Sequence, residues 1–470
     1  MTALLSRGTA RFALLIGLIL VYYLTYRHTI WLPRPGQAPE AFTLLPVSAV
    51  VWHSAGWLLF TALLLALFAT SRRPSPPAGD LWLRRLTLIA VAIVYAITGL
   101  QRAVTGRTFG AAESAGPAVL VAAGLVVLIA GLAILRWPPP TAWLLGLMLG
   151  AGVLLRLALI VLVQPDAAFA DNLPAVQLSL QRLLSGLTPY AIHDFGDHTN
   201  PMPYLPLTFL SYLPAHLLRV DIRLTNLVLA TVLTLFCWYL LRRVSLPAMT
   251  HRGLALGVGL LFVLPERLSN DLYTAWSPFN LLLVLAFGLL MLGHFRRTAV
   301  ALGASIAAMP VGLFVAPPLF LLALRRLPLR EVVIQVAIIA AVAGPPILLF
   351  YLWDAEAFRG AFLYGTTGLW GSLAKGESEL PLMLWHGWLG GWLLAVQLAL
   401  VAIVSVLSWT HLRTIRGLIA LSAVLFIGMI ITGPHIAHYM TTVVPYLALL
   451  QEAARAGDLP GDRALTAAAS

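Results

Sequence analysis

The chain has 470 residues, 60% of them hydrophobic and 10% charged, with a mean hydropathy of +0.90 and a formal net charge of +12. This is more apolar side chain than a soluble interior can hide, which excludes a water-soluble enzyme and leaves an all-α polytopic membrane protein. Nor does the positive charge point to nucleic acid, because the arginines sit in short turns between apolar runs.

Runs long enough to cross ~30 Å of hydrocarbon, about 20 residues each, fall near 12–30, 47–70, 84–100, 117–136, 142–163, 224–241, 253–268, 277–293, 332–352, 389–410, 417–433 and 437–453. About 12 transmembrane helices are therefore expected. With Arg7 and Arg11 before an apolar run, the first 30 residues resemble a signal sequence, but no small-residue cleavage site follows, so that run reads as a retained span. Arg72, Arg73, Arg136, Arg242, Arg243, Arg252, Arg296, Arg297, Arg325, Arg326 and Arg330 mark one side as cytoplasmic and put both termini there. Most acids, among them Asp166, Asp171, Asp194, Asp197, Glu266 and Asp271, then fall on the outer side.

Residues 71–80 and 136–140 are proline-rich turns, too short for soluble domains. The expected organisation is an N-terminal four-helix extension over 1–140 and a core over 141–352 that carries an acidic outer loop at 164–223. An outer loop at 353–388, C-terminal helices at 389–454 and a cytoplasmic tail at 455–470 follow. Cys237 is the only cysteine and lies in an apolar run, which excludes disulfides, thiolate metal sites and a cysteine nucleophile.

Residues 165–219 are the one long polar passage. Leu173, Val176, Leu180, Leu183, Leu184 and Leu187 recur there at helical spacing, with Gln177, Gln181 and Arg182 on other faces, which suits a helix lying in the outer interface. Residues 204–219, broken at Pro206 and Pro214, are laid along the same surface, since a crossing would put Arg242, Arg243 and Arg252 outside. Residues 299–324 have arginines at both ends and Pro310, Gly312, Pro317 and Pro318 within, which predicts a broken helical hairpin that enters and returns. The loop at 353–388 carries Phe358, Trp370, Trp385, Arg359 and Lys375, and could close over the acidic loop.

The order of a span, an outer loop with aspartate, a surface helix, GLTPY, a polar stretch and PYLPLTFLSYLPAHLL resembles the GT-C superfamily of integral-membrane glycosyltransferases. The likeness is to its bacterial branch that uses polyprenyl-phosphate sugars such as polyprenyl-phosphate mannose. It rests on Asp171, Gly186, Pro189, Tyr190, Tyr204, Pro206 and Pro214, and covers about residues 165–245. Here the acidic loop follows the fifth span rather than the first, so the first four runs stand outside the likeness. A Lys/Arg-Pro pair in the broken central segment is also missing.

The resemblance implies an enzyme of the bacterial cytoplasmic membrane working on its outer face. It would move a mannose-like hexose, with inversion, from a polyprenyl-phosphate donor to a glycan, lipid or protein acceptor. Asp171 is the expected general base, placed where free N–H groups at a helix start favour negative charge, with Asp166 beside it. Tyr190, Tyr204, Asp194, Asp197 and His193 are expected to touch substrate, and Arg156, Arg267, His435 and His438 to supply charge or donors to the leaving phosphate. Asp194 and Asp197 with His193 and His198 could hold a divalent metal, although their spacing matches no closed motif and a solvated loop is the simpler reading. A transporter or lipid flippase is the alternative function, kept open by the broken segment. A lipid-linked polysaccharide ligase or polymerase is a third.

Overall fold

The computed structural model describes residues 140–162, 172–194, 199–202, 204–363, 392–412, 414–431 and 442–469. The four runs expected before residue 140 lie outside the described residues. What is described is mostly helical, with one two-stranded hairpin.

Helix α1 spans Thr141–Leu162 and α2 spans Asn172–Leu184. Strands β1 (Ile192–Asp194) and β2 (Thr199–Pro201) pair antiparallel, His193 opposite Asn200. Then come α3 (Pro206–Leu210), α4 (Leu213–Leu217), α5 (Arg223–Arg243), α6 (Ala248–Val263), α7 (Pro265–Tyr273) and α8 (Ser277–Met291). Helix α9 (Phe295–Ala308) leads through a 3-10 turn at Pro310–Val315 into α10 (Ala316–Arg326). Helices α11 (Leu329–Trp353), α12 (Ala355–Leu363), α13 (Trp392–His411), α14 (Ile415–Ile431), α15 (Val444–Ala456) and α16 (Pro460–Ala469) complete the order.

Three of the described helices, Thr141–Val161, Arg223–Arg243 and Leu329–Trp353, are long and apolar enough to cross a membrane. Ala248–Val263, Ser277–Met291, Ala395–Trp409 and Ile415–Met429 are apolar but shorter. One expected span is cut back. The run at 253–268 stops at Leu264, because Pro265 cannot continue the ladder, and the chain restarts as the polar α7. Of the run expected at 437–453, α15 takes Val444 onward, and its residues from Val444 to Ala454 are buried among other helices.

The two ends of the bundle differ chemically. At one end Arg296 Nη2 meets Glu331 Oε2 at 3.0 Å, Arg325 donates to the Trp409 carbonyl, and Ser245 bridges Asp458. The expected tail at 455–470 is there as α16, whose Asp462 Oδ1 accepts the Ile415 N–H at 2.8 Å. At the other end Arg223 Nη2 donates to the Ile160 carbonyl at 2.8 Å, and Leu205 N–H to the Ala308 carbonyl at 3.2 Å. The described parts of the polar passage, 172–194 and 204–219, thus lie at the end opposite the arginine turns.

Helix α9 starts at the arginine end beside α11 and runs parallel to it. Its small residues Ala299, Ala301, Gly303, Ala304, Ala307 and Ala308 let the backbones approach. A Cβ on Gly303 would lie 3.0 Å from the Ile339 carbonyl oxygen. The chain breaks at Met309–Pro310 and α10 returns to Arg325 and Arg326, so the segment enters and comes back, as its equal basic flanks predict. Its freed backbone is satisfied from outside: the Ala308 carbonyl accepts Leu205 N–H and, at 2.7 Å, Thr208 Oγ–H.

Gly303→Val should lower stability by ~1–3 kcal/mol through the forced separation of α9 and α11. Gly360→Ala, in open space on α12, should raise it by ~0.5–1 kcal/mol or leave it unchanged. Thermal unfolding in detergent reads both; a Gly303→Val melting temperature at or above wild type would contradict the packing.

Candidate functional site

The polar passage is a layer built on α2. That helix ends because Gly186 takes φ +73, a left-handed conformation open to glycine, while Leu187 N–H reaches back to the Arg182 carbonyl at 2.9 Å and Gly186 N–H to the Leu183 carbonyl at 3.1 Å. Arg182 Nε then donates to the Thr188 carbonyl at 2.8 Å, locking the turn. The Gly and Pro of GLTPY are in this way a helix stop and a bend that bring Tyr190 back over α2.

Tyr190 is buried, and its hydroxyl donates to the Tyr204 carbonyl at 3.1 Å. Its ring packs edge-on against Phe209 and Phe350, each at 6.0 Å, and against Phe358 at 4.7 Å. Phe358 belongs to the loop expected to close over the acidic passage, and in its described part that loop does rest on it. The Tyr204 hydroxyl donates to Asn172 Oδ1, at the first residue of α2. These two tyrosines are therefore layer builders, joining GLTPY to PYLPL.

His193 is 5% exposed. The Ser179 hydroxyl has one hydrogen and gives it to the Pro189 carbonyl at 3.0 Å, so His193 Nε2, also 3.0 Å away, donates to that oxygen. Burial first, and the Arg182 charge second, push this imidazole down to about 4. It is neutral at pH 7 and braces the hairpin. With Nε2 donating to Ser179, Nδ1 is the ring nitrogen that keeps its lone pair; among the described residues no three His, Cys, Asp or Glu side chains gather into a ligand set. Asp166, Asp171, Asp197, His198, His435 and His438 lie outside the described residues; Asp194 is placed by its backbone, paired with Thr199.

A second polar cluster lies deeper. Arg156 is 1% exposed, on α1 about six residues or ~9 Å below its end. Its Nε and Nη2 both lie 2.8 Å from Asp271 Oδ2, and Nη1 donates to the Gly152 and Phe262 carbonyls at 3.0 and 2.9 Å. The guanidinium carbon sits 4.1 Å from the centre of the Phe262 ring. Asp271 Oδ1 accepts the Ser277 hydroxyl at 2.9 Å and lies 3.4 Å from Arg267 Nε, one helical turn back on α7. Asn226 Nδ2 donates to the Asp271 and Thr274 carbonyls at 2.8 and 2.9 Å, and its Oδ1 accepts from the Tyr212 hydroxyl at 2.6 Å. Tyr212 immediately precedes α4, so this chain of bonds links the cluster to the outer layer.

Arg156 and Arg267 are thus brought together, but both are turned to Asp271 within the protein rather than to a lipid-facing surface. Sequence reasoning put Asp271 among the outer acids and missed that it is the partner of Arg156, 115 residues away. The only signal was that a buried arginine demands an anion. Asn172, Ser179 and Asn226 were missed too, since nothing in their spacing marks them.

No protein-family model matches the chain, and no curated protein matches it.

Removing one partner from a buried ion pair leaves an uncompensated charge, so Asp271→Asn should lower stability by ~3–5 kcal/mol. Ser277→Ala, which takes away one hydrogen bond, should lower it by ~0.5–1.5 kcal/mol. Equal melting temperatures for Asp271→Asn and wild type would remove the cluster from the fold's support. The depressed His193 contributes stability that is complete above its ordinary value of 6.5 and fades as pH falls through about 4. Protection factors of the α2 and β1 amides, with the intrinsic pH dependence of exchange divided out, should therefore fall between pH 6.5 and 4, and His193→Gln, which keeps an N–H donor but cannot titrate, should flatten that dependence.

Proposed function

We propose that this chain is a membrane glycosyltransferase of the GT-C kind, moving a hexose from a polyprenyl-phosphate donor to a lipid, glycan or protein acceptor at the extracytoplasmic face. One observation carries the reading. The elements on which the resemblance rests, GLTPY and PYLPL, fold into one layer at the end of the bundle opposite the arginines, and Tyr204 is tied there to Asn172, the neighbour of Asp171. A buried tyrosine layer beside an acidic loop suits a lipid-borne sugar meeting a second substrate from water.

In this reading the acceptor hydroxyl oxygen attacks the anomeric carbon from the face opposite the leaving group. The new C–O bond forms as the bond from that carbon to the phosphate oxygen breaks, and the electron pair departs on the polyprenyl phosphate. The hydroxyl proton passes to the Asp171 carboxylate. Arg156 and Arg267, held by Asp271, act by keeping α1 and α7 in place beneath the layer.

Transport is the second reading, favoured by the break at Met309–Pro310 between α9 and α10. Against it, the Ala308 carbonyl freed there is already taken by Leu205 and Thr208.

Purified protein incubated with radiolabelled polyprenyl-phosphate sugars and membrane lipid extract should give a labelled product, and Asp171→Asn should lose ~10²–10⁴-fold of the rate. Equal transfer by both would remove Asp171 from the chemistry. Accumulation of labelled solute in proteoliposomes with no transfer would replace the enzyme with a transporter.

A further inference from the structure

Two helices of the polar layer end in the same way. At the end of α2 the N–H groups of Gly186 and Leu187 turn back to the Leu183 and Arg182 carbonyls, and at the end of α4 those of Arg219 and Val220 turn back to the His216 and Ala215 carbonyls, each at 3.1 Å. This motif puts the residue after the cap in the left-handed region, where a Cβ is crowded by the backbone. Gly186 meets the demand at φ +73, whereas Arg219 is held at φ +54. Among the described residues the other positive-φ positions, Gly186 and Gly293, are glycines. Conformation alone selects glycine at 219, so the guanidinium there answers to something other than the turn.

The surroundings of Arg219 say what. Its side chain is exposed and forms no hydrogen bond or ion pair with a described residue. The nearest acid in the chain, Asp221, is already engaged: its Oδ1 accepts the Arg223 backbone N–H at 2.8 Å and Arg223 Nε at 2.9 Å. Arg223 in turn is buried and donates to the Ile160 carbonyl near the end of α1. Helices α1 and α5 are both long and apolar enough to cross a membrane, and α5 starts at Arg223, so residues 217–220 stand where two crossings end, at the depth where hydrocarbon gives way to headgroups. Around the arginine Leu217, Leu218 and Val220 are 58%, 73% and 43% exposed. A free cation ringed by bare aliphatic side chains at that depth matches an anionic phosphate joined to acyl chains.

We propose that the end of α4 is a phospholipid site, in which Arg219 holds the phosphate of an anionic lipid while Leu217, Leu218 and Val220 enter its acyl region. Helix α4 has five residues, too few to stand by itself, and Tyr212 immediately before it is tied to Asn226. The lipid then fixes the far end of α4 as Asn226 fixes the near one. This site does not depend on the reaction proposed above.

Photocrosslinking of the full-length chain in phosphatidylcholine vesicles tests this. A trace of phosphatidylglycerol, or of phosphatidylcholine, carries a diazirine beside its glycerol backbone, and labelled peptides are mapped by mass spectrometry against the labelling around Arg296 and Arg330 at the other end. Phosphatidylglycerol should label residues 217–220 about fivefold more than phosphatidylcholine. Arg219→Gly, which removes the guanidinium and relieves the left-handed strain, should abolish that preference and melt no lower than wild type in lipid-free detergent. Equal labelling of 217–220 by the two probes in wild type, or an unchanged preference in Arg219→Gly, would overturn the proposal. A lower melting temperature for Arg219→Gly would do so too, by making the residue part of the turn's own support. Displacement of the probe by excess glycerol phosphate would give the guanidinium to a soluble anion, and displacement by equimolar polyprenyl phosphate would give it to a lipid carrier; either result would overturn the phospholipid site.

Discussion

A single carboxylate, Asp271, holds the described core together. It lies between two arginines from different helices and takes a hydroxyl from a third, all in surroundings almost without water. In a low-dielectric interior a charge left without its partner is costly, so the two arginines and the carboxylate hold one another in place. That mutual need joins α1, α7 and the start of α8, three elements whose apolar contacts alone would allow many relative positions. Asn226 extends the constraint to α5 by capturing the Asp271 and Thr274 carbonyls, and Tyr212 carries it up to the outer layer.

The cluster needs the break at Leu264–Pro265. Were α6 to run on as a single apolar span, Arg267 and Asp271 would continue its axis instead of folding back over α1. The proline cannot donate a ladder bond, and the Phe262 carbonyl, left open in the last turn of α6, is taken up by Arg156. The other break, at Met309–Pro310, is handled the same way: a freed carbonyl at Ala308 is satisfied by a donor pair from the layer above. Both interruptions of the apolar helices are sites where polar groups from distant segments enter, and both lie toward the end where the acidic passage gathers. The opposite end is closed by arginines and by α16.

This asymmetry bears on chemistry. One end has long-range polar ties, buried tyrosines and a neutral imidazole; the other has surface ion pairs such as Arg296–Glu331 and a short amphipathic helix. A reaction between a lipid-anchored molecule and a soluble one needs a rigid rim that excludes water from one side and admits it from the other. The layer of α2, the hairpin and α3 is rigid for identifiable reasons: a left-handed glycine stop, an aromatic cluster reaching α11 and α12, and hydrogen bonds that tie both tyrosines into the chain.

The helical class, the membrane-spanning character, the start of α2 at Asn172, the breaks at Pro206 and Pro214, and the return of α10 were legible in the sequence, whereas the spacing carried α2 on to Leu187 and the structure ends it at Leu184. They follow from local rules: apolar run length, 3.6-residue spacing, and the inability of proline and left-handed glycine to continue a helix. Arg156 could be marked as a residue in need of an anion, because a lone charge in hydrocarbon is untenable wherever it sits. Which anion answered it, that Tyr190 and Tyr204 build the layer, and that His193 is spent on Ser179 were decided only by the tertiary structure. Those pairings join residues 14 to 115 positions apart, and no periodicity or composition records which of several chemically equivalent partners the packed chain brings within 3 Å.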